Sequence, residues 1–261
     1  MSDQWIPPSQ QRRRIDFEAL GVRPGRYVLP DVTNFIVTEN GSREGAERLH
    51  DYLDGKTDLA SLQPAEIDFV RQHFLDAAAE QLQKCIAHFE SKVPRRYASA
   101  RPNAIATAWA KSVVTSPEST RSLLVVGPTG TGKTHYAYSV LRAVAETGSR
   151  NGWASYTAAD LYAQLRPRTG RDSEATFETI AGTDVLFVDD LGAAKLTEWT
   201  EEVTYRLINH RYEQCKPGIF TSNVPPTQLR DALGERIASR LTEMCERITL
   251  KGDDRRKGMA A

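Results

Sequence analysis

Eight residues, Gly127-Pro128-Thr129-Gly130-Thr131-Gly132-Lys133-Thr134, constrain this chain more than any other feature. They match G-x-x-x-x-G-K-[ST] and lie between an apolar run, Ser122-Leu123-Leu124-Val125-Val126, and a helix-forming stretch over residues 133–146. The glycines let the backbone curl until successive N–H groups point inward, and a helix beginning at Lys133 adds the positive end of its dipole. A loop of this kind cradles phosphate oxygens. Lys133 is expected to bridge β- and γ-phosphates and Thr134 to offer its hydroxyl to Mg²⁺, with His135 completing the candidate nucleotide-binding stretch. The local order is strand, loop, helix, so the domain is α/β.

The alternation continues. Residues 153–157 read as a second strand, followed by a helix that Asp160 opens or falls within and that contains Leu161 and Leu165. Residues 185–190 form a third strand, 198–213 a helix, and 218–223 a fourth strand. Such an order implies a parallel sheet flanked by helices, joined by right-handed crossovers. Four apolar residues before Asp189 and Asp190 give a buried strand that delivers two carboxylates beside the phosphate loop. Asp189 is then expected to hold Mg²⁺, mostly through water, and Asp190 to orient or deprotonate an attacking water. The same acids could instead cap a turn before Gly192. At the next strand tip, Asn223 or Ser222 would reach the γ-phosphate or the lytic water. Asn223 before Val-Pro-Pro is also a good turn residue.

At 261 residues the chain accommodates one α/β domain and a smaller appendage. Pro7, Pro8, Pro24 and Pro30 mark residues 1–40 as irregular, with a basic run at Arg12, Arg13 and Arg14. A short helix is expected over 42–53 and a stronger one after Pro64, where Ile67, Val70, Phe74, Ala78, Leu82, Ile86 and Phe89 recur at helical spacing. That stripe suits a core or a partner's groove. Residues 91–111 carry Lys92, Arg95, Arg96, Arg101 and Lys111, no acid, and two prolines, Pro94 and Pro102. They read as a linker, which divides the chain into residues 1–92 and 93–261. The first part holds 11 Lys and Arg against 15 Asp and Glu, the second 23 against 19, or about −4 and +4. The asymmetry is too weak to establish nucleic-acid binding by itself. No apolar run reaches the roughly 18 residues of a membrane helix, no signal peptide is evident, and the three cysteines form no C-x-x-C pair. These features fit a cytoplasmic protein without a zinc ribbon.

A nucleotide kinase would share the phosphate loop, but its acceptor is a bound substrate, so it has less use for Asp190 or Asn223. The LSGGQ-like segment of ABC ATPases and the NKxD motif of GTPases are both absent. The set favours ATP hydrolysis coupled to conformational change. Arg236 and Arg240 lie four apart on a probable helix, as an ordinary surface pair with Glu235 or Glu243 or as arginines that reach a neighbouring subunit's ATP.

GPTGTGKTH, LFVDDLG, RLINHRYEQCKPGIFTSN and LGERIASRLTEM, in that order, resemble the DnaC/DnaI-type AAA+ helicase loaders and the related IstB transposition ATPases. The resemblance covers roughly residues 93–261. It implies an AAA+ P-loop domain without a full lid, preceded by a small, mainly helical N-terminal region. It makes 127–134 the Walker A loop, Asp189 and Asp190 the Walker B acids, Asn223 sensor 1, and Arg240 the trans-acting arginine with Arg236 in reserve. It further implies a slow, switch-like ATPase, a homo-oligomer with ATP at subunit interfaces, single-stranded DNA along the inner face, and a DnaB-type replicative helicase bound through residues 1–92. The alternative within the resemblance is a transposition helper on duplex DNA, working with a transposase. Residues 158–180 would face DNA, with Arg166, Arg168 and Arg171 suited to phosphate contacts. The N-terminal region departs from the zinc-binding version found in some loaders.

Overall fold

The computed structural model describes residues 15–252, except 24, 26, 171 and 194–196. Arg12, Arg13, Arg14, Arg171 and the basic residues beyond 252 therefore lie outside the described residues. The chain divides into two compact units, Met1–Cys85 and Ile86–Ala261.

In the first unit, helices α1 (Thr33–Ile36), α2 (Arg43–Leu53) and α3 (Pro64–Lys92) are the main elements. The Ser42 Oγ accepts from the Gly45 N–H at 3.0 Å and caps α2, a contact worth about 1 kcal/mol. The described residues of 15–40 are irregular apart from α1, as their prolines suggested, yet they are packed. Ile15, Phe17, Leu20, Val22, Tyr27 and Phe35 are buried with Leu49, Tyr52, Val70 and Phe74. Apolar side chains at irregular spacing give no periodic signal, yet they fill a core as well as helical ones do. The α3 stripe is split: Val70 and Phe74 are buried in this core, and Phe89 in that of the second unit. The division between units falls inside α3, seven residues ahead of the boundary read from the sequence.

After the last residues of α3, the second unit continues into α4 (Ala104–Thr115), which begins in the segment read as a linker. Asn103 caps it, accepting from the Ala106 N–H at 2.9 Å, and Ala106, Trp109, Ala110 and Val113 are buried. Pro94 and Pro102 bracket a short 3-10 turn at Arg95–Tyr97 rather than loose chain.

Five strands follow: β1 (Ser122–Val126), β2 (Trp153–Thr157), β3 (Val185–Asp189), β4 (Gly218–Ser222) and β5 (Cys245–Thr249). They pair in the order β2-β3-β4-β1-β5, all parallel. The register sets Thr157 beside Asp189 and Val126 beside Ser222, so the functional strand tips share one edge. Between strands run α5 (Lys133–Glu146), α6 (Ala158–Leu165), α7 (Ser173–Ala181), α8 (Glu198–Glu213), α9 (Leu229–Leu233) and α10 (Glu235–Met244). Leu123, Val125, Phe187 and Ile219 face one core, with α4 and α5; Leu124, Val126, Leu186, Val188 and Phe220 face the other, with α6, α7, α8 and α10. Burial on both faces explains why these strands read as unbroken apolar runs. β5 had no such signature, because it is an edge strand and only Cys245 of its five residues is buried. Among the described residues, no helix is long and apolar enough to cross a membrane, and the three cysteines are free thiols.

Candidate nucleotide-binding site

The phosphate loop connects β1 to α5, and its turn depends on Gly130 and Gly132, at φ +84° and +96°. A side chain is strained in that region, so the glycines fix the loop's path. Thr131 is buried and donates its hydroxyl to the Pro128 carbonyl at 2.9 Å. Pro128, Thr129 and His135 are exposed. Lys133 is buried. Its ammonium donates to the Gly127 and Pro128 carbonyls, each at 2.9 Å, and to the Asn223 Oδ1.

Opposite the loop stands the end of β3. The Thr134 hydroxyl lies 3.0 Å from both carboxylate oxygens of Asp189. Asp190 turns out of the strand at φ +56°, a left-handed conformation uncommon for a residue with a side chain. Its Oδ1 accepts from the Asn223 Nδ2 at 3.0 Å. Asn223 therefore links the loop's lysine to the second acid. Burial holds the Asp189 carboxyl above its ordinary range and neighbouring Asp190 pushes the same way; the Thr221 and Thr134 hydroxyls and the Lys133 charge act against it.

These donors fit Mg²⁺. A hydroxyl and a carboxylate, both hard oxygen donors, meet beside the phosphate loop, leaving positions for phosphate oxygens and water. Among the described residues no group of three or more His, Cys, Asp or Glu side chains is placed to hold a metal.

The structure brings together Lys133, Thr134, Asp189, Asp190 and Asn223. It does not bring the arginines to them. The Arg240 guanidinium lies 4.1 Å from the centre of the Tyr212 ring and 3.8 Å from Glu243, to which the Tyr212 hydroxyl donates at 2.5 Å. Arg236 lies 5.8 Å from the Tyr205 ring. Both arginines lie along α10 against α8, without hydrogen bonds or ion pairs to the phosphate loop. Within residues 158–180, α6 is the helix expected to contain Leu161 and Leu165, α7 begins at Ser173, and Arg166 stacks 5.2 Å from the Trp199 ring.

Two residues at or beneath the site were not singled out from sequence. Thr221 bonds both acids. Arg211 is fully buried and donates to carbonyls at the roots of β3 and β4. Its signal was present: it follows Val203 and Leu207 on the buried stripe of α8.

The model of the IstB-like ATP binding protein family matches residues 68–260. The chain belongs to that family. With the IstB-like region so defined, its five-stranded parallel sheet and flanking helices are an AAA+ P-loop fold. A crystal structure of the DnaC helicase loader superposes with a TM-score of 0.52 at 29% identity, covering 60% of this chain and 100% of that one. The replicative helicase loader DnaI of Bacillus subtilis is 26% identical over 155 residues, which are 52% of this chain and 48% of DnaI. The insertion sequence IS5376 putative ATP-binding protein of Geobacillus stearothermophilus is 32% identical over 132 residues, 49% of each chain. This chain spans about half the length of the curated relatives it matches. Residues 1–67 precede the match to the IstB-like family.

Proposed function

We propose that this chain is an ATP-dependent helicase loader. ATP bound between subunits orders an assembly around single-stranded DNA, a DnaB-type replicative helicase docks through residues 1–92, and slow hydrolysis releases it. The observation that carries the ATP reading is the connected network in which Asn223 bonds both Lys133 and Asp190, Thr134 bonds Asp189, and the Thr221 hydroxyl joins Asp189 to the Asp190 backbone. That network sets the phosphate-binding lysine, the metal-side carboxylate and the water-side carboxylate within one hydrogen-bonded group.

In this reading Lys133 exchanges loop carbonyls for β- and γ-phosphate oxygens, and the loop's N–H groups, from Thr129 to Thr134, take the rest. Thr134 and Asp189 are the residues that would hold Mg²⁺, which when bound supplies positive charge against the phosphate oxygens. Asp190 and Asn223 hold a water in line with the γ-phosphorus. The water oxygen bonds to phosphorus, its proton passes to Asp190, and the bond to the β–γ bridging oxygen breaks. Arg240 of a neighbouring subunit offsets charge on the γ-phosphate, with Arg236 as the alternative. Within its own chain Arg240 meets Tyr212 and Glu243 on the outer helices, a placement that suits a group acting in trans. The nucleotide works as a switch rather than as a substrate for rapid turnover.

The loader reading is supported by the likeness to the DnaC helicase loader, which extends over that whole chain at 29% identity. A second reading, a transposition helper that assembles on duplex DNA and recruits a transposase, is favoured by the family's description and by the insertion-sequence relative. Fluorescence anisotropy with matched single-stranded and duplex oligonucleotides, in ATP or ADP, separates them. The loader reading expects ATP-dependent binding to the single strand; ATP-dependent binding to duplex alone would transfer the protein to the second reading.

A further inference from the structure

We propose that Thr221 is a positioning residue that sets both acids of the site at once. The ladder between β3 and β4 runs through Val188 opposite Phe220 and goes no further. Beyond it Asp190 adopts φ +56°, and its N–H no longer meets a strand carbonyl. The Thr221 hydroxyl takes over, accepting from the Asp190 N–H at 2.9 Å. The same oxygen donates its proton to the Asp189 Oδ1 at 2.5 Å. The Thr221 carbonyl then accepts from the Leu191 N–H at 2.8 Å, and the Ser222 hydroxyl donates to the Leu191 carbonyl at 2.6 Å.

One side-chain oxygen thus orients the carboxylate beside Thr134 and pins the backbone of the next residue in its left-handed turn. Thr221 is fully buried and follows Ile219 and Phe220 in a strand where valine would have the same shape. A buried threonine commonly satisfies its hydroxyl on its own segment. This one uses both its donor and an acceptor on the neighbouring strand. Without it, the Asp190 N–H would lose its partner and its carboxylate would be held by Asn223 alone, and Asp189 would lose one of the two hydroxyls that orient it toward a metal. Positioning errors of this size have kinetic consequences far beyond the value of one hydrogen bond.

The inference rests on the ATP-binding reading in both arms and on the hydrolase reading in its turnover arm only. Thr221→Val and Thr221→Ser are made in the full chain, and ATP affinity is measured with a fluorescent ATP analogue, with Mg²⁺ and with EDTA, beside steady-state hydrolysis. Thr221→Val is expected to bind the analogue in EDTA as the wild type does and to lose the gain in affinity that Mg²⁺ brings. Its kcat should fall about 10- to 100-fold while KM changes less than about threefold, the pattern of an interaction realised in the transition state. Thr221→Ser, which keeps the oxygen, should recover both to within about threefold. A folded Thr221→Val with wild-type Mg²⁺ response and wild-type kcat overturns the proposal. So does a Ser variant as impaired as the Val variant. If the wild type binds ATP but hydrolyses none, the hydrolase reading fails separately, and the Mg²⁺ response still decides the role of Thr221.

Discussion

Replacing Arg211 with methionine should loosen the ATPase unit measurably. The guanidinium is fully buried; its Nη1 donates to the Ala181 and Thr183 carbonyls at 3.0 and 2.7 Å, and its Nη2 to Asp184 at 3.2 Å and to Pro217. Asp184 precedes β3 and Pro217 precedes β4, so one side chain ties the roots of the two strands whose tips carry Asp189, Asp190 and Asn223. Burial also makes the charge costly and draws its pKa down from 12.5 to about 10. Methionine fills most of the volume and relieves that cost, but it strands two buried and two part-buried carbonyls at about 1 kcal/mol each. The relief offsets part of this, leaving a net loss of about 2–4 kcal/mol. For a domain of this size about 2–4 °C of Tm accompanies each kcal/mol, so a fall of roughly 10 °C is expected. The assay is thermal unfolding, read on the transition that ATP raises, because only the unit that binds ATP is stabilised by it. Arg211→Lys should recover part of the loss, since one ammonium has three donors and no planar fork. A methionine variant that melts within about 2 °C of the wild type would refute the staple.

Two further outcomes follow from the site. Asp189→Asn should raise the Tm of the nucleotide-free protein at pH 7 while abolishing Mg²⁺-dependent ATP binding. The folded carboxyl titrates above its ordinary 3.8, so the folded state binds its proton more tightly than the unfolded chain does. Stability therefore falls as pH rises from 3.8 through the folded value, the cost is full at neutral pH, and the variant's advantage should vanish as pH drops toward 4. A variant less stable than the wild type at pH 7 contradicts this. In a separate experiment, Lys133→Ala and Arg240→Ala are each expected to be inactive, and mixing them should restore some ATP turnover if sites are shared between subunits. Absence of rescue between folded, co-assembling variants would count against a trans-acting Arg240.

Much of the site was readable from residues because its chemistry demands particular types at fixed strand ends. The phosphate loop allows few alternatives to glycine at 130 and 132, and four apolar residues before Asp189 and Asp190 place those acids at a buried strand's tip. The helices at Lys133–Glu146 and Glu198–Glu213 had the periodicity to announce themselves. α4 was hidden by its setting: prolines and basic residues ahead of it suggested a linker, and two of its four buried residues are alanines, which carry little hydropathic signal. β5, with Glu246, Arg247 and Thr249, is polar because an edge strand does not need both faces apolar. Thr221 and Arg211 escaped notice because their roles lie in partners supplied by other segments of the chain, the end of β3 for Thr221 and the residues leading into β3 and β4 for Arg211. Pairwise geometry of that sort has no local sequence trace beyond a polar residue standing where an apolar one is due.

The most direct test of the loader account is light scattering after size-exclusion of this protein mixed with its host's replicative helicase. The full chain and residues 86–261, which keep Phe89 and Val93 in the core of the second unit, are run side by side. The account predicts a complex with the full chain and none with the truncated one, although the truncated chain still binds ATP. A full chain that fails to bind the helicase, or a truncated chain that binds it equally well, would contradict it.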